Sequence, residues 1–152
     1  MKVLVLACGN PLRGDDGVGL VLARHAEEWA AERGRAVKVQ TQMQWTPELA
    51  EEIAAAHAVV FLDCAVDLAP GEICAREVGA AGDLPPASHH LDAAELLALA
   101  RGLYGREPRR AVALTIGAAH LGMGEGLSVE VEAALPEARA LLEQTLKDCL
   151  KD

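Results

Sequence analysis

Aromatic residues and long apolar runs are both scarce in this sequence. Its 152 residues include two Trp, one Tyr and one Phe, so the core must consist mainly of Ala, Leu and Val. No apolar run approaches the roughly 20 residues of a membrane-spanning helix, and we expect no contact with a membrane. The first apolar run is followed by charge too soon to predict a signal peptide. These absences predict a cytoplasmic location.

Basic residues and paired cysteines are also few. The chain has 14 Lys and Arg against 23 Asp and Glu, a formal net charge of −9. An acidic chain with few aromatics is a poor candidate for nucleic-acid binding, so we expect no nucleic-acid partner. None of the four cysteines forms a CxxC pair, which argues against a zinc ribbon or a thioredoxin-type site.

Buried strands alternate with helices along the chain. This pattern predicts an α/β fold, a three-layer α/β/α sandwich whose mostly parallel sheet is covered on both faces. A turn at 67–71 indicates that one strand runs antiparallel. We expect one domain over 1–152 and a monomer. The predicted strands are 2–8, 36–42, 57–64, 72–78 and 110–117; the predicted helices are 18–31, 46–56, 91–105 and one beginning after Ser128.

Helix-end residues set the predicted boundaries. Gly34 and Gly105 are expected to end their helices. Thr46 is expected to cap the next helix, with a proline at its first position. Ser128 is expected to cap the last helix.

Polar residues follow the apolar strands. In the common strand order 2-1-3-4-5, strands 1 and 3 are neighbours, and ligands bind where their carboxyl ends meet. Strand 1 leads into Asp15 and Asp16, and strand 3 ends at Asp63. His89 and His90 precede a crossover helix on the same edge. Two carboxylates and an imidazole suit a divalent transition metal, with nickel, zinc, manganese and iron all left open.

The loop GNPLRGDDGVG at 9–19 does not match the usual phosphate-binding loops. A P-loop requires Lys and Ser or Thr after its last glycine, and a dinucleotide fingerprint requires GxGxxG. The loop therefore favours presentation of a carboxylate to a cation. Asp15 is interpreted as a dipole and capping partner of the helix that follows. Asn10 is expected to hold the loop through a side-chain hydrogen bond.

Three stretches resemble the hydrogenase maturation proteases, the endopeptidases that remove the C-terminal extension from the large subunit of [NiFe] hydrogenases. They are GNPLRGDDGVG (9–19), FLDCAVD (61–67) and SHHLDAAELLALA (88–100). The resemblance extends nearly from end to end. It implies a five-stranded sheet and a site of two carboxylates and one histidine. It also implies that the nickel is carried by the precursor, so that no permanent catalytic metal is needed.

Carried over to this chain, the resemblance assigns Asp16 and Asp63 as catalytic residues. Together with His89 they are also the expected nickel ligands, and His90 is the alternative histidine. The chain departs from the family pattern at Cys64, where alanine is usual, and in the stretch IGAAHLGMGEG at 116–126. His120 in that stretch either reaches the site or is solvated.

The resulting hypothesis is a processing endopeptidase whose partner is a [NiFe] hydrogenase large-subunit precursor. No HExxH motif and no Ser-His-Asp pattern supports another protease class. Two alternatives stay open at this point. One is a divalent-metal-dependent phosphohydrolase, which would not need His89 because magnesium prefers oxygen ligands. The other is a non-catalytic module that binds the metallated precursor.

Overall fold

The computed structural model describes residues 2–82 and 91–151, which form a five-stranded sheet between two layers of helices. The three-layer α/β/α architecture predicted from the sequence is confirmed. The strands are β1 (Val3–Cys8), β2 (Val37–Gln42), β3 (Ala58–Ala65), β4 (Ile73–Glu77) and β5 (Arg110–Gly117); the helices are α1 (Val18–Arg33), α2 (Leu49–Ala55), α3 (Ala93–Tyr104) and α4 (Val129–Lys151).

The strand order is β2-β1-β3-β5-β4, so the expected order 2-1-3-4-5 is wrong for the last two strands. β1, β2, β3 and β5 run parallel, and β4 runs antiparallel to β5. The predicted antiparallel strand is confirmed, but it does not pair with the strand before it. β3 is apolar and needs partners on both sides, whereas β4 is largely exposed and suits an edge.

Alternate residues of each strand enter the two halves of the core. Val3 and Val5 pack with α1 and α4 on one face, while Leu4 and Leu6 pack with α2 and α3 on the other. This alternation follows from the two-residue period of a strand. It explains why the central strands read as continuous apolar runs.

Most of the predicted helix ends are confirmed. Gly34 and Gly105 both have positive φ and end α1 and α3. The Ser128 hydroxyl accepts the N–H of Val131 at the start of α4. The expected cap at Thr46 is wrong, because the Leu49 N–H bonds to the Thr46 carbonyl in a tighter turn and α2 begins only at Leu49.

The parallel strands all end at one edge of the sheet, here called the carboxyl edge. The loops 9–17, 43–48 and 118–128 leave from this edge after β1, β2 and β5. In the described part of the chain, no helix has both the length and the apolar character needed to cross a bilayer. The fold thus gathers three loops around the ends of β1 and β3.

Candidate active site

The loop after β1 turns back on itself and fixes Asp16 at the carboxyl edge. Gly9 has a φ of 155°, and a Cβ at this position would collide with the Asp16 carbonyl oxygen. The Asn10 N–H donates to Asp16 Oδ2 at 2.7 Å. Asn10 Oδ1 accepts from the Leu12 N–H at 3.0 Å, which confirms the turn role expected of Asn10. The glycine and the asparagine together hold the Asp16 carboxylate in place.

Asp63 lies beyond the buried part of β3, beside the end of β1. Its Oδ1 accepts the N–H of Cys64 at 2.7 Å, and the Cys8 thiol donates to its carboxylate. Burial raises the pKa of Asp63 from 3.8 to about 6. The bonds from Cys64 and Cys8 lower this pKa, and the negative charge of Asp16 raises it. Asp63 therefore holds a proton more readily than an ordinary aspartate.

Asp16 and Asp63 line the same open cavity, here called the carboxylate cavity, which has a volume of about 470 Å³. Asp92 and Glu95, at the start of α3, also line it, and Arg13 is the one basic residue among its described lining. The structure thus brings together the two carboxylates that the sequence places at the ends of neighbouring strands. Carboxylate oxygens in an acidic cavity suit a divalent cation.

The predicted site has two candidates for its histidine, His89 and the alternative His90, and both lie outside the described residues. His120 is exposed and is not among the described residues that line the carboxylate cavity. Within 2–82 and 91–151, no three His, Cys, Asp or Glu side chains are grouped as a metal site. The described residues therefore supply two of the three predicted ligands, Asp16 and Asp63.

The interpretation of Asp15 as a capping partner of its own helix is wrong. Asp15 is fully buried, and neither its own turn nor α1 has a side-chain cap. Its Oδ2 accepts the N–H groups of Ala119 and His120 at 2.8 and 2.9 Å, and its Oδ1 accepts that of Ser128 at 2.7 Å. Burial opposes ionisation, but these three bonds outweigh it and lower the pKa of Asp15.

Backbone bonds reinforce this junction between the loops that follow β1 and β5. Gly14 donates to the Gly124 carbonyl at 2.9 Å, and Gly124 donates to that of Leu12 at 2.8 Å. The Asp15 N–H also donates to the His120 carbonyl at 2.9 Å. Asp15 therefore fastens loop 118–128 to the loop that carries Asp16. The sequence shows two adjacent aspartates. It does not show that Asp15 bonds to loop 118–128 while Asp16 lines the carboxylate cavity.

Two thiols also line the carboxylate cavity. Burial raises the pKa of the Cys8 thiol, and the nearby Asp63 raises it further. Burial, with the charge of Asp63, raises the pKa of Cys64 to about 12. Because the thiolate is the nucleophilic form of cysteine, neither group is suited to attack a substrate.

Trp45 is a lining residue that the sequence reasoning missed. It lies between β2 and α2, is 7% exposed, and contacts Phe61 edge-on with ring centroids 5.2 Å apart. Tryptophan in a chain so poor in aromatics was the one signal that could have drawn attention to it. Its position depends on the packing of loop 43–48, which no local pattern encodes.

The raised pKa of Asp63 predicts a pH-dependent effect of the Asp63→Asn substitution on stability. The folded state binds the proton of the Asp63 carboxyl group more tightly than the unfolded state does. The contribution of this group to the free energy of unfolding is therefore complete below about pH 4 and is lost as the pH rises through about 6. Urea unfolding should show Asp63→Asn more stable than the wild type by about 1–2 kcal/mol at pH 7.5. At pH 4 this advantage should largely vanish; an equal difference at both pH values would contradict the assigned environment.

Comparison with solved structures identifies the fold. Neither a protein-family model nor the sequence of a curated protein matches the chain. The hydrogenase maturating endopeptidase HybD of E. coli is 21% identical, with a TM-score of 0.75 over 97% of this chain and 93% of that one. The chain has the fold of the hydrogenase maturation endopeptidases. The resemblance read from the sequence is thereby confirmed at the level of the fold.

Two archaeal structures extend the likeness to this endopeptidase fold. The [NiFe] hydrogenase maturation protease HybD from Thermococcus kodakarensis is 26% identical, with a TM-score of 0.64 over 95% of this chain and 99% of that one. A hydrogenase 2 maturation peptidase from a Thaumarchaeota archaeon is 22% identical, with a TM-score of 0.68 over 96% and 98%. The similarity spans nearly the full length of each pair.

Proposed function

We propose that this protein is an endopeptidase that removes the C-terminal extension of a [NiFe] hydrogenase large-subunit precursor after nickel insertion. The observation that carries the proposal is the convergence of Asp16 and Asp63 on one cavity. It occurs in a fold shared with proteins named as hydrogenase maturation endopeptidases. The chain would act as a monomer in the cytoplasm.

In this proposal the nickel belongs to the substrate. Asp16 and Asp63 would engage the precursor's nickel together with His89, which lies outside the described residues, and so fix the scissile bond beside the carboxylates. Carboxylate oxygens and an imidazole nitrogen are suitable ligands for nickel. The acidic lining of the cavity favours a cationic centre over an anionic one. Docking through the metal would restrict cleavage to precursors that have received it.

Asp63 is suited to transfer a proton. Its pKa of about 6 makes it a stronger base than an ordinary aspartate while it remains largely ionised at neutral pH. It would accept a proton from the water that adds to the peptide carbonyl. The carbon–nitrogen bond then breaks, and the proton passes to the departing amine. Asp16, held by the Asn10 N–H, would keep its orientation throughout.

Exposed apolar side chains at the carboxyl edge support a protein substrate. Leu12 is 50% exposed, Met43 is 67% exposed and Met123 is 86% exposed. Met43 lines the carboxylate cavity, and the other two flank the bridge that joins Arg13 to Gly124. Exposed apolar side chains grouped around a polar cavity are typical of protein interaction sites.

The substitution Met43→Glu is expected to weaken capture of the precursor. A carboxylate at this position would place charge in the contact surface and should raise KM about tenfold with little effect on kcat. Leu103→Glu is the matched control, because Leu103 is 60% exposed at the end of α3, by the opposite edge of the sheet. Steady-state cleavage kinetics would measure both variants. Equal KM values for the two would contradict a docking role for this edge.

A cleavage assay with precursors in different metal states tests the proposed function. The cognate large-subunit precursor is prepared with nickel, with zinc and without metal, and each form is incubated with the protein. Shortening of the nickel form alone is the expected result. Shortening of all three forms would contradict recognition through nickel. An intact nickel form that nevertheless binds the protein would support a non-catalytic module instead.

A further inference from the structure

β2 is an edge strand whose outer side carries free backbone groups. In the order β2-β1-β3-β5-β4 its one neighbour is β1. The Gln42 carbonyl accepts the N–H of Gly9 at 3.0 Å, so the backbone of Gln42 faces β1. Because successive residues of a strand direct their N–H and C=O groups to alternate sides, those of Val39 and Thr41 face outward. Within 2–82 and 91–151, no hydrogen bond occupies these outward groups.

The outer side of β2 is open to another strand along its whole length. β2 has six residues, a length of about 20 Å. Proline or an unpaired charge often blocks such an edge. β2 has no proline, and the Nζ of its one charged residue, Lys38, lies 2.8 Å from Glu52 on α2. Val37 and Val39 are half-buried on the opposite face, so an added strand would cover apolar surface that is still exposed.

β2 ends beside the carboxylate cavity. Its last residue, Gln42, lies opposite Cys8 in the register with β1, and Cys8 lines the cavity. The three residues that follow β2, at 43–45, line the cavity as well. The free edge of β2 and the cavity are therefore continuous. A peptide that leaves the cavity past these residues reaches the edge at the carboxyl end of β2.

We propose that the free edge of β2 holds the C-terminal extension of the precursor as a sixth strand of the sheet. The proposal rests on the proposed endopeptidase function. The extension begins at the scissile bond in the carboxylate cavity, so it meets β2 at its carboxyl end and runs antiparallel to it. Its main chain bonds to the outward groups of Val39 and Thr41. Because main-chain bonds accept many side chains, the edge recognises an extended segment after the cut and not one particular sequence.

A proline scan of the extension tests this pairing. The nickel-loaded precursor carries a single Pro at each position of the extension in turn, and Ala at the same position controls for the lost side chain. Pro removes one N–H, and only alternate residues of an antiparallel strand donate to one partner. KM should rise about fivefold at every second position over a stretch of about six residues, with kcat changed by less than about twofold. The Ala forms should keep the KM of the unaltered precursor.

The substitution Thr41→Pro tests the same bonds from the side of the protein. It removes an outward N–H, which an edge strand tolerates, and it should raise KM for the unaltered precursor about fivefold. Ala75→Pro is the matched control, because Ala75 is exposed on β4, the other edge strand. The Glu72 carbonyl and the Val78 N–H both bond to β5, so the N–H of Ala75 faces outward by the same alternation. It should keep the wild-type KM, and thermal melting checks that both variants fold.

Hydrogen exchange measures the pairing without a substitution in β2. The nickel-loaded precursor is bound to Asp63→Asn, which should cut it slowly, and amide exchange is compared with that of the free variant. The N–H groups of Val39 and Thr41 should exchange at least about tenfold more slowly in the complex, because a hydrogen bond protects them. The N–H of Ala75 should be unaffected. Unchanged exchange at Val39 and Thr41 in the complex would overturn the pairing.

The kinetic outcomes separate the edge from the endopeptidase. A proline scan without a two-residue period, or equal KM values for Thr41→Pro and Ala75→Pro, would overturn the pairing and leave the endopeptidase standing. Sedimentation of the free protein tests a second copy as the occupant. A dimer that Thr41→Pro dissociates would overturn the proposal in favour of a sheet shared by two chains. Failure of the wild type to shorten any nickel-loaded precursor would overturn the proposed function, and the role of the extension with it.

Discussion

Replacing Asp63 by Asn should reduce the rate of precursor cleavage by a factor of about 10²–10⁴, the usual contribution of a general base. Asn keeps the size of the side chain but cannot accept the proton of the attacking water. The Cys64 N–H can still donate to the amide oxygen, so the end of β3 should remain folded. The measurement is single-turnover cleavage of the nickel-loaded precursor at saturating protein, which separates the chemical step from binding.

Asp16→Asn should be similarly slow in this assay, but for a different reason. In the proposed function it removes a carboxylate that would engage the precursor's nickel, so weaker binding of the precursor should accompany the loss of rate. Asp67→Asn is the control, because Asp67 is exposed and also follows β3 at the carboxyl edge. If Asp63→Asn cleaved the precursor at the wild-type rate, a group other than Asp63 would have to accept the proton of the attacking water.

Replacing Asp15 by Asn should destabilise the fold and displace the site, although Asp15 is not among the described residues that line the carboxylate cavity. Its carboxylate accepts three backbone N–H groups at 2.7 to 2.9 Å. The Asn side chain has an NH₂ group in place of one of the two carboxylate oxygens. Because each oxygen accepts at least one N–H group, the NH₂ donor must face another donor in either orientation of the amide. The expected loss is about 2–4 kcal/mol in the free energy of unfolding. Urea denaturation would measure it.

The same substitution should alter the pH dependence of stability. The lowered pKa of Asp15 means that its contribution is present above its unfolded pKa and is lost as the pH falls through its folded pKa. The difference in the free energy of unfolding between the wild type and Asp15→Asn should therefore be largest near neutral pH and smaller in acid. Asp67→Asn again serves as the control for the loss of one charge. A change below about 0.5 kcal/mol at pH 7 would contradict the fastening role of Asp15.

The strands and the position of the carboxylates could be predicted from the sequence because both depend on local patterns. An apolar run such as 58–62 has few alternatives to a buried strand. A carboxylate directly after it must then lie at the carboxyl edge. The parallel arrangement of β1 and β3 places the loop after β1 and the end of β3 at the same edge, and the turn at Gly9 and Asn10 then holds Asp16 beside the cavity that Asp63 also lines.

The order of β4 and β5 could not be predicted in the same way. The turn at 67–71 indicates a reversal of direction but not which strand receives the returning chain. That choice depends on the match between the exposed faces of β4 and the edge position beside β5. Asp15 and Trp45 were misjudged or missed for a related reason, because their partners lie in distant segments. The Asp15 carboxylate bonds to residues more than 100 positions away.

Intact-mass measurement of the precursor tests the central claim most directly. The nickel-loaded large-subunit precursor would be incubated with the wild type and, in parallel, with Asp16→Asn. Both products would then be weighed, together with any released peptide. The account predicts one cut near the C-terminus with the wild type, the two fragments summing to the precursor plus one water, and an intact chain with Asp16→Asn. A full-length precursor after incubation with the wild type, or equal cutting by Asp16→Asn, would contradict it.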